Sequence, residues 1–168
     1  MAAARTVPSN PTLWTIPLGA LVLLSLFGAL TPVDQTSLTG GEINTGDTAW
    51  MLTATALVLL MTPGLSFFYG GMVDKRNVIS TMLQSFIAMG IVSILWVTVG
   101  FSLAFGDSIG GIIGDPRSFF MFRNVGEAPH PALSPTIPLA LFALFQLKFA
   151  IITPALITGA FAERVRFS

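Results

Sequence analysis

The sequence predicts an all-α integral membrane protein. Three observations carry that expectation. Apolar residues make up 53% of the 168 residues and charged ones only 10%, with a mean hydropathy of +0.80, whereas a soluble domain carries about 25% charge. The apolar residues are gathered into four segments, and three of them reach the roughly 20 residues that a membrane-spanning helix needs. None alternates strictly as a barrel strand does, and the helix is the other way to satisfy a backbone in lipid. A soluble fold of this size could not hide so much apolar surface.

Residues 13–30, LWTIPLGALVLLSLFGAL, are slightly short for a span. They read equally as a signal sequence, although no small-residue cleavage pattern stands near residue 29, or as an extra helix. Residues 31–47 are rich in Thr, Gly, Ser and Asn and form a polar loop. The chain therefore divides into a region 1–46, holding a tail, the signal-like segment and that loop, and a core 47–168. Within the core, 48–71, 78–106 and 137–162 are the expected helices. MVDKRN, 72–77, is a tight charged turn, and 107–136 is a long Gly- and Pro-containing loop. In that loop SFFMFRNV, 118–125, suits a short interfacial helix, because aromatic residues favour the headgroup level. Pro63 and Pro154 each remove a backbone donor inside a span and favour a kink. Gly64, Gly70, Gly71, Gly90 and Gly159 permit close helix approach.

Lys75 and Arg76 share a side with Arg164 and Arg166, two helices on. Basic residues favour the cytoplasmic face. The turn 72–77 and the C-terminal end are thus expected inside, with 31–47 and 107–136 outside. Arg117 and Arg123 are the exceptions, balanced by Asp107, Asp115 and Glu127. Glu163 reads as an ion-pair partner of its neighbouring arginines.

Several chemistries are excluded. The net charge is zero, so nothing points to a nucleic-acid partner. The chain has no cysteine, which rules out disulfides, thiolate metal sites and cysteine nucleophiles. The single histidine, His130, lies between Pro129 and Pro131 and reads as solvated. No span holds a constellation suited to enzymatic catalysis, and no cofactor or metal is implied.

Polar and aromatic residues inside the last span remain. Phe142, Phe145 and Phe149 recur at i, i+3 and i+7, one helix face. That spacing alone favours packing or lipid contact over a ring platform for a cation. Gln84 and Gln146 suit interhelical hydrogen bonds. Lys148 is the anomaly, since an ionisable group within a span is costly. It lies too deep to reach the outer surface easily. It calls for a carboxylate partner, a water-filled cavity or the neutral amine.

DTAWMLTATALVLLMTPGLSFFYGGMVDKRNVIS (47–80), WVTVGFSLAFG (96–106) and FAIITPALITGAFAERVRFS (149–168) resemble the Amt/Mep/Rh ammonium transporter family, and its Amt branch in particular. The resemblance implies about eleven transmembrane helices in two inverted halves, assembled as a homotrimer in the cell (inner) membrane with one pore per subunit. This chain corresponds to the first three core helices, and so to an N-terminal fragment or truncated product. Phe145 and Phe149 match two phenylalanines at the outer mouth of the pore. The first helps line an ammonium recruitment site; the second lines it and forms half of an aromatic gate. For this pair the resemblance overrides the packing reading. Gln146 matches a glutamine close to the pore. The remaining recruitment residues and both pore histidines belong to later helices, and His130 matches neither. Lys148 departs from the small or uncharged residue expected. It either opposes recruitment of a cation or faces a subunit interface. The implied function is ammonium/ammonia transport, this chain supplying gate and wall but not the pore histidines. The alternatives are an ammonium-sensing module coupled to a signalling domain and a non-conducting truncated product. A PII-type regulator is a candidate partner.

Overall fold

The structure is a computed structural model that describes residues 11–31 and 41–164. Helix α1 spans Pro11–Leu30, α2 Thr45–Gly70 and α3 Val78–Leu95. α3 runs through a π-helical turn, Trp96–Gly100, into a short α4, Phe101–Phe105, and the last helix, α5, spans Leu139–Phe161. The expected core helices are therefore present, each within a few residues of its predicted bounds. Thr45–Gly70, Val78–Phe105 and Leu139–Ala160 are long and apolar enough to cross a membrane. The segment read as signal or extra helix is helical, and within it Gly19–Leu30 is a shorter apolar stretch. Most of the 31–47 loop and Arg166 lie outside the described residues.

Local chemistry sets the helix ends. Asn44 caps α2, its Oδ1 accepting from the backbone N–H of Gly46 at 2.8 Å and of Asp47 at 3.1 Å. Asp47 adds negative charge to the first turn, where the helix dipole favours it. The first N–H groups of α5 have no helical acceptor. Leu139 and Ala140 donate them to the carbonyls of Ala128 and Gly126, at 3.2 and 3.0 Å.

α2, α3 and α5 pack against one another along faces of small and hydroxylic residues. Thr62 and Ser66 of α2, Thr81 and Ser85 of α3, and Thr158 of α5 are all buried. Ser66 donates its hydroxyl to the Met82 carbonyl at 3.1 Å, and Thr158 to Pro154 at 3.1 Å. Two glycines set the closest approaches. A Cβ at Gly70 would stand 2.8 Å from Met82 Cγ, and one at Gly159 would stand 2.8 Å from the Tyr69 ring. The Tyr69 hydroxyl donates to the Leu156 carbonyl at 2.7 Å, tying α2 to α5. Small contact residues of this kind are how helices associate in lipid, where no hydrophobic force drives them together. The opposite faces stay apolar and open, with Trp50 73% and Ile79 80% exposed.

One end of the bundle, the loop end, carries residues 106–138. Two short hairpins form here: β1 (Ser108–Ile109) with β2 (Ile113–Gly114), and β3 (Pro129–His130) with β4 (Ser134–Pro138). Gly110 and Gly111 turn the first with φ of 63° and 76°. Beneath them Phe101, Phe119, Leu139 and Ala143 form a buried cluster, flanked by Trp96, Phe105, Phe122 and Phe142. The start of α2 joins this end, since Asn44 N–H reaches the Thr136 carbonyl at 2.9 Å.

The loop also brings a correction. SFFMFRNV is not an interfacial helix. Only Phe120–Phe122 forms a 3₁₀ turn, and Met121, Phe122 and Asn124 take φ of 55°, 57° and 61°. Tertiary contacts claim these side chains in different directions. Phe119 and Phe122 pack on Phe101 at 5.1 and 5.6 Å, while Phe120 lies against Gly28 of α1. The Phe119 N–H is held by Ser102 Oγ at 3.0 Å.

At the other end, the turn end, Glu163 is not an ion-pair partner of Arg164. Its carboxylate accepts from the Asp74 backbone N–H at 2.7 Å and from Asn77 Nδ2 at 3.2 Å. The left-handed backbone of Glu163, φ 62°, turns the carboxylate back toward the α2–α3 turn. Arg164 instead donates to the Ala160 carbonyl at 3.4 Å.

Candidate functional site

α5 carries the residues singled out from the sequence, and the structure divides its three phenylalanines. Phe142 turns into the buried cluster, its ring meeting the edge of Phe105 at 5.2 Å and 79°. Phe145 and Phe149 pair with each other, ring centroids 5.1 Å apart and planes at 77°. Phe145 is half-buried, while Phe149 is 42% exposed. The pair thus lies on α5 below the loop-end cluster, with open ring surface. Shared helical periodicity placed all three on one face; Phe105 captures the first.

Gln146 is half-buried beside Phe145. The interhelical hydrogen bonds expected of the two glutamines do not form among the described residues. Among the described residues the Gln84 Oε1 is buried without a partner, as are the hydroxyls of Thr62 and Ser85. Lys148 is half-buried, and among the described residues it makes no ion pair. It lies nine residues past Leu139, about 13 Å along the helix. On the helical surface it neighbours Phe145 at i+3 and precedes Phe149 directly.

The charged groups of the loop are more tightly held. Arg117 grips Asp115 with two nitrogens, Nε at 2.9 Å from Oδ1 and Nη2 at 2.6 Å from Oδ2. The guanidinium also lies over the Phe27 ring of α1, 5.7 Å from its centroid. The hydrogen bond from Arg117 holds the Asp115 carboxyl below the usual carboxylate range. The balancing role expected of Asp115 is therefore met by a bidentate pair. His130 is less open to solvent than its sequence context suggested. It is partly buried, edge-on to Phe119 at 6.2 Å, and its Nδ1 accepts from the N–H groups of Ala132 and Leu133 at 3.3 and 3.2 Å. Burial lowers its pKa below the ordinary histidine value, against a smaller opposing pull from Asp107. It closes a turn of the loop and lies on none of the spans.

One contact near the pair had no sequence signal. The Trp96 indole Nε1 donates to the Ala143 carbonyl of α5 at 3.1 Å. A tryptophan in an apolar run reads as packing; only the π-turn that follows it gives it this aim.

Helices of membrane-spanning length run between a charged turn at one end and an aromatic-capped loop at the other. The Ammonium Transporter Family model matches residues 49–168, most of the chain. The chain belongs to the ammonium transporter family. It is 50% identical over 125 residues to an ammonium transporter of Bacillus subtilis, covering 73% of this chain and 30% of that protein. It is 47% identical over 135 residues to one of Mycobacterium tuberculosis, covering 73% of this chain and 28% of the relative. An ammonium transporter of Aquifex aeolicus matches 152 residues at 40% identity, 88% of this chain and 33% of its own length. The chain thus spans up to about a third of these ammonium transporter relatives. Family membership makes it a multi-pass membrane protein of a transporter family rather than an enzyme, with the mainly helical fold that its composition predicted.

Proposed function

We propose that this chain forms the first part of a membrane pore for ammonium/ammonia, and that Phe145 and Phe149 make its cation-recruiting mouth and gate. The observation that carries this reading is the edge-to-face pair itself, partly open to its surroundings in a region matching the family. Stripping water from an ammonium ion in an apolar environment is prohibitive without compensation. Aromatic ring faces supply part of it, worth about 2 kcal/mol when the cation is desolvated. Gln146 offers a carbonyl oxygen one residue from Phe145. No histidine lies on α2, α3 or α5, so these helices supply mouth and wall and leave proton handling to other groups. In this reading the loop end faces outward and the turn end, with Lys75, Arg76 and Arg164, faces the cytoplasm. A homotrimer in the cell membrane and a cytoplasmic PII-type regulator complete it.

Lys148 favours a second reading, an ammonium-sensing module that binds the cation without conducting it, because a fixed charge beside the pair opposes passage of a cation. Both are tested by expressing the open reading frame that encodes the chain in cells lacking their own ammonium transporters. Under the pore reading the cells take up methylammonium. Phe145→Ala and Phe149→Ala then each raise the half-saturation concentration about tenfold, since losing about 1.4 kcal/mol of binding is one decade. Unaltered half-saturation in both variants would sink the recruitment role. Saturable binding with no uptake by the unmodified protein would transfer the conclusion to sensing.

A further inference from the structure

Among the described residues, the span that begins with α3 contains a π-turn, and irregular turns of this kind accompany functional sites. Here its geometric effect can be followed. The Phe101 N–H reaches back five residues to the Trp96 carbonyl. In a regular α-helix, residues five apart point about 140° away from each other. The wider turn brings them onto one side, and the Trp96 and Phe101 rings stand 5.9 Å apart. Gly100 makes room for this, because a Cβ there would stand 3.2 Å from the Leu95 carbonyl and 3.3 Å from the Trp96 ring. Phe105, one α-turn beyond Phe101, stands 6.2 Å from Trp96. One face of the α3–α4 span therefore presents Trp96, Phe101 and Phe105 together to α5.

That face grips α5 twice. The indole N–H holds the Ala143 carbonyl, and the Phe105 ring meets Phe142 at 5.2 Å. Phe142 and Ala143 point about 100° apart on the helix. A single lateral anchor fixes only the distance between two helices; two anchors at different angles fix rotation as well. Phe145 and Phe149 project from the following turns, away from Ala143. With a side-chain radius of about 5–6 Å, turning α5 by about 20° would move their rings by about 2 Å. A displacement of about 1 Å is already costly at a site that depends on geometry.

We propose that Trp96 is a positioning residue for the Phe145–Phe149 pair. Its indole N–H, aimed by the π-turn, sets the rotation of α5 and with it the direction of both rings. The inference rests on the recruitment reading above, and the test separates the two. Trp96→Phe retains an aromatic ring and loses the donor. Replacement of Trp96 by benzothienylalanine, with sulfur in place of the N–H, removes the donor at nearly constant shape and keeps the test decisive if Trp96→Phe misfolds. Methylammonium uptake is measured against concentration in cells expressing the full reading frame, normalised to folded protein in the membrane. The expected result is a half-saturation concentration about 2–10-fold higher in both variants, the worth of one hydrogen bond, with the maximal rate retained. Unchanged half-saturation in the benzothienylalanine protein overturns the inference, whatever its stability. Phe149→Ala runs beside it. If Phe149→Ala shifts half-saturation and the indole replacement does not, only the Trp96 role fails. If neither shifts it, recruitment by the aromatic pair fails too.

Discussion

Removing the Glu163 carboxylate should release the α2–α3 turn, and the structure sets both the size and the order of the effects. Glu163 accepts two hydrogen bonds, from Asp74 N–H at 2.7 Å and Asn77 Nδ2 at 3.2 Å. Bonds to a charged acceptor are worth about 1.5–3 kcal/mol when buried. Glu163 is exposed, so water competes, and about 1 kcal/mol each is the fitting value. Glu163→Ala should therefore raise the opened population of the turn about 30-fold. Glutamate also sits at φ 62°, where a side chain costs about 1–2 kcal/mol and glycine almost nothing. Glu163→Gly loses the same bonds but sheds that strain, so it should open only about fivefold. Glu163→Gln keeps an acceptor oxygen and should fall between Ala and the unmodified protein. The assay is limited trypsinolysis in detergent, following the fragment cut after Lys75 or Arg76. The cleavage rate tracks the opened population when reclosing is fast. Cleavage of Glu163→Ala at the unmodified rate would refute the clasp. Faster cleavage of Glu163→Gly than of Glu163→Ala would refute the strain argument, because it reverses the order that only a left-handed backbone produces.

Lys148→Met should tighten ammonium recruitment. A charge about 7 Å from a bound cation repels it by about 2 kcal/mol at a near-surface effective dielectric of about 20. The half-saturation concentration for methylammonium should drop about 5–30-fold, and no drop would mean that the lysine points its charge elsewhere. The loop should also show an acid limit. Asp115 has its folded-state pKa depressed by the Arg117 hydrogen bond. Its contribution is therefore present above the unfolded carboxyl value of about 3.9 and is lost as pH falls through the lower folded value. Amide-exchange protection across 107–138 should hold from pH 7 to 5, apart from the intrinsic rate, and fall below about pH 4. Asp115→Asn should weaken protection at neutral pH and abolish that dependence.

Much of the fold was legible because lipid leaves few choices. Long apolar runs must be helices, and the charged MVDKRN had to be a turn, so α2, α3 and α5 followed with small boundary errors. What stayed hidden depends on contacts between distant residues. Nothing in WVTVG distinguishes a π-turn from an α-turn, since the preference comes from Trp96 finding Ala143 on another helix. SFFMFRNV is rich in the aromatic residues that favour the headgroup level, but Phe101, Ser102 and Gly28 claim its side chains and backbone one by one. His130 read as solvated because its prolines suggested an open loop; the two N–H groups it accepts lie only two and three residues on, and the Phe119 ring that partly covers it comes from another part of the loop. For the candidate site, periodicity grouped Phe142 with Phe145 and Phe149, and only the position of Phe105 separates them. Lys148 was legible as an anomaly from its type and depth alone.

The contact between Tyr69 and the Gly159–Leu156 stretch bears on how the chain is assembled as it leaves the ribosome. Two contacts of the α2–α3 hairpin lie within its own sequence: Gly70 receives Met82, and Ser66 bonds the Met82 carbonyl, while the Glu163 clasp on the turn is added only with α5. α5 is a less willing entrant, because a lysine near the centre of a span adds about 2.5–3.5 kcal/mol to its partition from the insertion machinery into lipid. By the time α5 emerges, the hairpin presents a tyrosine whose hydroxyl is aimed at the Leu156 carbonyl and whose ring fits the space left by Gly159. The earlier helices thus act as a template, and α5 leaves the translocation channel onto a surface that already matches it.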